Sequence, residues 1–133
     1  MITNKLKTAS LKSTFQREKI LEYIISKKEH PTAEMIYDHI VKIISNISRT
    51  TVYNNVNALA KANLIRPIKF IGEKQVRYDG DTRTHYHFVC EKCGKIYDMN
   101  ISCDKILNKT NIEGHKIKNA YAYFTGICKN CKK

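Results

Sequence analysis

The chain has no tryptophan, only two prolines and five glycines among its 133 residues, so nothing in it reads as a proline-rich linker or a low-complexity tract. It carries no internal repeat. Its apolar runs are short, and none approaches the roughly 20 residues of a membrane-spanning helix; no membrane association is expected. Met1 to Lys12 has lysines but no apolar core, so no secretory signal peptide is expected. Acidic residues are scarce: 12 Asp and Glu stand against 24 Lys and Arg, a formal charge of +12. A surplus of that sign and size favours a polyanionic partner as well as solubility. It is spread, +7 over residues 1–72 and +5 over 73–133, so charge alone marks no binding face. The five cysteines are an odd number, and four of them form two Cys-x-x-Cys pairs. That is not a secreted disulfide framework. In a reducing compartment such pairs more often share a metal ion than a bridge, so a cytoplasmic protein is expected.

Residues 1–14 are polar and weakly periodic, with room for a short helix. Helical spacing then predicts a helix over Arg17–Lys28 with Ile20, Leu21, Ile24 and Ile25 on one stripe. His30-Pro31-Thr32 interrupts it. Thr32 can N-cap a second helix, with Glu34 in its first turn and Met35, Ile36, Ile40, Ile43 and Ile44 facing inward. Ser48 can cap a third, from Arg49 to about Ala62, that buries Val52, Val56, Leu59 and Ala60. At about 100° per residue, its opposite face presents Thr50, Tyr53, Asn54, Asn57 and Lys61. Leu64–Phe70 and Gln75–Tyr78 read as strands around Gly72-Glu73. Three helices followed by a hairpin is the winged helix-turn-helix pattern. The second half opens near Gly80. His85–Cys90 and Lys95–Met99 read as strands about a turn at Glu91–Gly94. Ser102 can cap a helix over Cys103–Ile112 ended by Gly114, and Lys116–Phe124 reads as a strand. The fold class is α+β: a DNA-binding domain over residues 1–79, then a small α/β domain over 80–133.

Cys90, Cys93, Cys128 and Cys131 together offer the four thiolates of a closed, structural zinc site, with no open position for catalysis. Cys103 is a bystander. A hairpin about Glu91–Gly94 pairs Cys90 with Lys95, and counting outward sets His87 across from Asp98. His85 shares a strand face with His87, so His85, His87 and Asp98 can converge. Asp79 and His30 are further candidates. Such a nitrogen–oxygen set suits Fe(II) or Mn(II), while zinc is drawn to the thiolates. His39 and His115 read as structural residues and Asp81 as a turn residue. Two histidines and a carboxylate also make the facial site of Fe(II) oxygenases, but no substrate pocket or further catalytic group shows, so neither an enzyme nor a small organic ligand is expected. The Asn/Thr-rich outer face of the third helix argues against base stacking on single-stranded RNA.

His30-Pro31-Thr32-Ala33, Thr51-Val52-Tyr53-Asn54-Asn55, the run from His85 to Lys95 and the late Cys-x-x-Cys resemble, in order, the ferric uptake regulator family. The resemblance runs from about Arg17 onward. It implies a homodimeric winged-helix repressor of double-stranded operator DNA with a C-terminal α/β dimerisation domain. The chain looks most like the peroxide-sensing branch. There the regulatory Fe2+ or Mn2+ has three His and two Asp ligands, which fall here on His30, Asp79, His85, His87 and Asp98. Iron-uptake regulators usually carry Glu at the last position. The resemblance further implies structural Zn2+ on the four cysteines and oxidation-sensitive rings at His30 and His85. In the DNA complex, Thr50, Tyr53, Asn54 and Asn57 are the candidates for base edges, with Arg49 and Lys61 for phosphates. The alternative within the family is an iron- or manganese-responsive uptake regulator with no peroxide role. Two departures stand out. The family's Thr-Pro-Gln-Arg reads Thr14-Phe15-Gln16-Arg17 here, and Asn119-Ala120 stand where many members place a histidine for a third metal site, which is therefore not expected.

Overall fold

Capping decides where the first three long helices begin. The computed structural model describes residues 1–27, 30–70, 72–83, 85–101, 109–117 and 122–132, and these fall into two compact units, Met1–Thr82 and Arg83–Lys133. The first unit holds α1 (Ile2–Thr8), α2 (Phe15–Ser26), α3 (Ala33–Ile40), α4 (Arg49–Lys61), β1 (Arg66–Ile68) and β2 (Arg77–Asp79). The hydroxyls of Thr14, Thr32 and Ser48 accept the Arg17, Met35 and Thr51 backbone N–H at 3.2, 3.2 and 3.0 Å, the N-cap bond that satisfies a donor the helix itself leaves open. Phe15 occupies the first helical position, where a proline is also tolerated because that N–H has no helical acceptor. The departure from Thr-Pro-Gln-Arg thus leaves the start of α2 intact.

The core of this unit is the stripe expected from periodicity: Ile20, Leu21 and Ile24 of α2, Ile36 and Ile40 of α3, Val52, Val56 and Leu59 of α4, joined by Leu6 and Ile65. Two residues depart from expectation. Ile43 is 47% exposed, because α3 ends at Ile40 and the turn that follows redirects the chain. Asn55 is buried although polar; its amide donates to Thr51 O at 2.9 Å and its oxygen accepts from Arg17 Nε at 3.0 Å. That pairing satisfies a buried amide and ties α2 to α4. β1 and β2 are antiparallel, with Arg66 opposite Asp79 and Ile68 opposite Arg77. Both are shorter than expected, and the second is displaced to take in Asp79. Gly80 follows it at a close approach, where a Cβ would lie 2.8 Å from the Ile25 Cα.

The second unit holds β3 (Tyr86–Cys90), β4 (Ile96–Met99), β5 (Asn111–Ile112), β6 (His115–Lys116) and β7 (Tyr123–Gly126). One sheet runs in the order β4-β3-β7, and β7 lies parallel to β3. The other is the β5–β6 hairpin. Its turn, Glu113-Gly114, has φ of 51° and 84°, the doubly left-handed backbone of a tight hairpin. Gly114 therefore turns a hairpin instead of ending a helix, and Asn111–Ile112 are strand, not helix. Lys109 and Thr110 are not helical either, and the remainder of the expected helix, with Cys103, lies within 102–108, outside the described residues. The single strand expected over Lys116–Phe124 is likewise replaced: β6 ends at Lys116 and β7 begins at Tyr123, and Asn119-Ala120 lie outside the described residues. A short apolar run does not reveal its own period. Among the described residues no helix is long and apolar enough to cross a membrane.

Candidate metal centres and nucleic-acid face

β3 and β4 place two kinds of ligand on opposite faces of one sheet. Their register pairs His87 with Asp98 and Phe88 with Tyr97, as the turn arithmetic expected, and Cys90 N–H donates to Lys95 O at 3.0 Å. Alternation sends His87 and Asp98 to one face, Phe88, Cys90 and Tyr97 to the other.

On the second face the four sulfurs of Cys90, Cys93, Cys128 and Cys131 all lie within 4.8 Å of one another. Cys93 Sγ and Cys128 Sγ are 3.9 Å apart, far beyond a disulfide bond but close to the edge of a tetrahedron built on Zn–S bonds of about 2.3 Å, which is about 3.8 Å. The donor set fits a closed zinc site. Gly94, at φ 74°, completes the first turn by donating to Cys90 O at 2.9 Å. Cys128 and Cys131 follow β7, whose parallel pairing sets Gly126 beside Cys90. Backbone N–H groups of Cys93 and Cys128 both donate to Cys90 Sγ at 3.4 Å and hold its thiol below the ordinary range. Tyr97 is the neighbour that sequence reading missed. Its hydroxyl is buried with no well-formed hydrogen bond, yet it faces the Cys128 thiol, which lifts it to about 12. The same contact is the main cause that brings Cys128 down to about 6. Hydrogen bonding of the Cys131 thiol to Cys128, and then to Cys93, pushes Cys131 up to about 12.

On the first face His85 Nε2 and His87 Nε2 lie 3.4 and 3.5 Å from the same Asp98 oxygen. His85 Nδ1 is 2.7 Å from Arg83 O. A carbonyl only accepts, so Nδ1 carries the proton and Nε2 keeps a lone pair for a cation. Within the first unit, His30 Nε2 lies 3.3 Å from Asp79 Oδ2, with both residues buried. Separations of 3.3–3.5 Å are long for good hydrogen bonds and comparable to the edges around a cation with ligands at about 2.1 Å. His30 is held at φ 53°, an unfavourable backbone for a residue with a Cβ. What holds it is β2: Arg77 Nη1 donates to His30 O at 3.2 Å, Tyr78 N–H to Pro31 O at 2.9 Å, and Thr32 bridges Arg77. Asp79 is steadied by Asp81 N–H, which donates to its Oδ1 at 2.9 Å. Asp81 thus has a positioning contact, and His39 stacks on Tyr23 at 4.1 Å.

α4 carries the expected nucleic-acid residues. Arg49, Thr50, Tyr53, Asn54, Asn57 and Lys61 are all exposed. Glu34, expected only as a first-turn acid, accepts from both Arg49 Nη1 and, at 3.1 Å, the Tyr53 hydroxyl. The guanidinium is the main cause that holds its carboxyl below the ordinary range.

The sequence profile of the ferric uptake regulator family matches residues 8–124. The chain belongs to that family. It is 34% identical to the peroxide operon regulator of Bacillus subtilis, over 96% of this chain and 89% of that one. Among solved structures of the family it resembles the Helicobacter pylori ferric uptake regulator Fur, with a TM-score of 0.73, 25% identity and coverage of 96% and 87%. It also resembles PerR of Streptococcus pyogenes, described as a basis for peroxide sensing and gene regulation, with a TM-score of 0.56, 30% identity and coverage of 98% and 90%.

Proposed function

We propose that this member of the ferric uptake regulator family is a metal-dependent, DNA-binding repressor that senses peroxide, acting as a homodimer on double-stranded operator DNA in the cytoplasm. The observation that carries the reading is the convergence of His85 Nε2 and His87 Nε2 on Asp98, on a sheet face apart from a complete four-thiol centre. Zinc is drawn to the sulfurs, so Cys90, Cys93, Cys128 and Cys131 hold structural Zn2+ and the mixed nitrogen–oxygen set remains for Fe2+ or Mn2+. In this reading His30 and Asp79 of the first unit join His85, His87 and Asp98 in holding one regulatory ion. Ligands drawn from both units bias the protein toward one arrangement, in which the two α4 helices of a dimer meet major grooves about 34 Å apart. Thr50, Tyr53, Asn54 and Asn57 then reach base edges, while Arg49 and Lys61 reach phosphates.

Fe2+ held by His30, Asp79, His85, His87 and Asp98 would promote cleavage of the peroxide O–O bond, with one oxygen passing to a histidine ring and the other leaving as water; Mn2+ would do so poorly. His30 and His85 are the rings that take the damage. An imidazole that has gained an oxygen binds a cation less well, so the hold between the units weakens and DNA is released. The likeness to peroxide-responsive relatives supports this, as does aspartate at position 98, where iron-uptake members usually carry glutamate.

The test uses duplexes selected from a randomised pool by the Mn2+-loaded protein. Micromolar peroxide abolishes binding by the Fe2+ form, spares the Mn2+ form, and adds oxygen to His30 or His85 peptides in mass spectra. Asp98→Glu keeps metal-dependent binding and loses most of the peroxide response. Survival of both metal forms, or an undiminished response in His85→Ala, sinks the proposal. An undiminished response in Asp98→Glu removes the argument that favours it over a simple iron or manganese regulator.

A further inference from the structure

An acidic residue lies on the face proposed to meet DNA. Glu34 stands in the first turn of α3, and its two carboxylate oxygens are divided between Arg49 and Tyr53 of α4. It lines a cleft shared with Tyr53 and Asn57 of α4 and with Gln75 before β2, so it shares the exposed side of α4 that carries the candidate base contacts. The Arg49 guanidinium is held from a second direction, 4.4 Å over the Tyr37 ring. Both holders belong to α3.

We propose that Glu34 is a specificity-determining residue, whose carboxylate occupies Arg49 and orients the Tyr53 hydroxyl so that α4 does not grip the phosphates of unselected sequences. This rests on the DNA-binding reading above. Every duplex presents phosphates, and sequence-independent affinity rises with the number of cations that reach them. For a chain of net charge +12 that affinity is a liability, because it competes with the operator. Arg49 must give up Glu34 before it can reach a phosphate. On an unselected duplex nothing offsets that loss, whereas at its own site the base contacts of Tyr53, Asn54 and Asn57 do. Glu34 therefore subtracts from binding everywhere and subtracts least where α4 meets its own site. The effect is bounded by what an exposed ion pair contributes, about 1.5- to 5-fold in binding.

The test is a double-mutant cycle on the full-length, Mn2+-loaded protein, with a duplex of scrambled sequence followed by fluorescence anisotropy over a salt series. Glu34→Gln is expected to tighten scrambled-duplex binding about two- to fivefold and to steepen the slope of log K against log salt by about one, the signature of one added phosphate contact. In the Arg49→Gln background, whatever that variant's own slope, Glu34→Gln adds nothing further. If Glu34→Gln has no effect, or the same effect with Arg49 removed, Glu34 is only a general repulsive charge and the proposal is overturned. A wild-type protein that binds no duplex at any salt overturns the DNA-binding reading itself, a failure distinct from the loss of coupling.

Discussion

Tyr97 stands where one hydroxyl can tune a metal centre. It has no helical or strand role that phenylalanine could not fill, and its oxygen is buried without a well-formed partner. A buried hydroxyl left this way costs folding free energy instead of adding to it. What it faces is the Cys128 sulfur, whose pKa it lowers. A polar group set against a metal-ligating sulfur in this way commonly changes metal affinity by about tenfold. Tyr97→Phe is therefore expected to weaken zinc binding up to about tenfold in competition with a chromogenic chelator, while the melting temperature of the zinc-loaded protein moves little. Equal zinc affinity in the two proteins would show the hydroxyl to be a bystander. Tyr97 was missed in the sequence because tyrosine is not a ligand. The same turn arithmetic that set His87 against Asp98 also sets Tyr97 against Phe88, on the cysteine face, so the signal was present.

At the scale of elements, β2 is the strut for two of the five ligands proposed for the regulatory ion, His30 and Asp79. It carries Asp79 itself, and through Arg77 and Tyr78 it grips the loop that carries His30. Arg77 Nε also donates to Glu73 Oε2 at 3.3 Å, in the loop between β1 and β2. Removing the guanidinium leaves the left-handed His30 backbone with one fewer constraint. Arg77→Gln is expected to lower Mn2+ affinity severalfold in titration calorimetry, with zinc content unchanged, since the four cysteines belong to another unit. Parallel loss of both metals would point to general unfolding instead. The helices of this unit were readable beforehand, because caps and apolar stripes are local features. The bridge from Thr32 to Arg77 was not, since nothing in a short window links a pre-helical loop to a strand far along the chain.

For the molecule as a whole, the two units differ in what holds them. The hydrophobic cluster of the described residues lies wholly within Met1–Thr82. Among the described residues of Arg83–Lys133 the buried apolar side chains are Tyr86, Ile96 and the cysteines Cys90 and Cys128, so half of them belong to the four-thiol centre. A metal ion held there would add folding free energy to that unit. Stripping zinc with a strong chelator under reducing conditions is expected to abolish the strand signal of the second unit in circular dichroism while the helical signal of the first persists. A second unit that keeps its sheet without zinc would refute this. Exposed Ile112, Phe124 and Ile127 of the same unit are consistent with the homodimer proposed above, in which a partner copy would add the burial that one copy lacks.

Periodicity, caps and the Cys-x-x-Cys spacings act over a few residues, and by themselves they determined the three capped helices of the first unit, most of their buried stripes, the thiol pairs and the β3–β4 register. Only the tertiary structure decided that β7 runs parallel to β3 and brings Cys128 and Cys131 back to the first knuckle, that β2 holds His30 beside Asp79, and that Glu34 occupies Arg49. Each of these contacts joins residues distant in the chain, and which distant residues meet is set by how whole faces pack and hydrogen-bond, a property no short stretch of sequence contains.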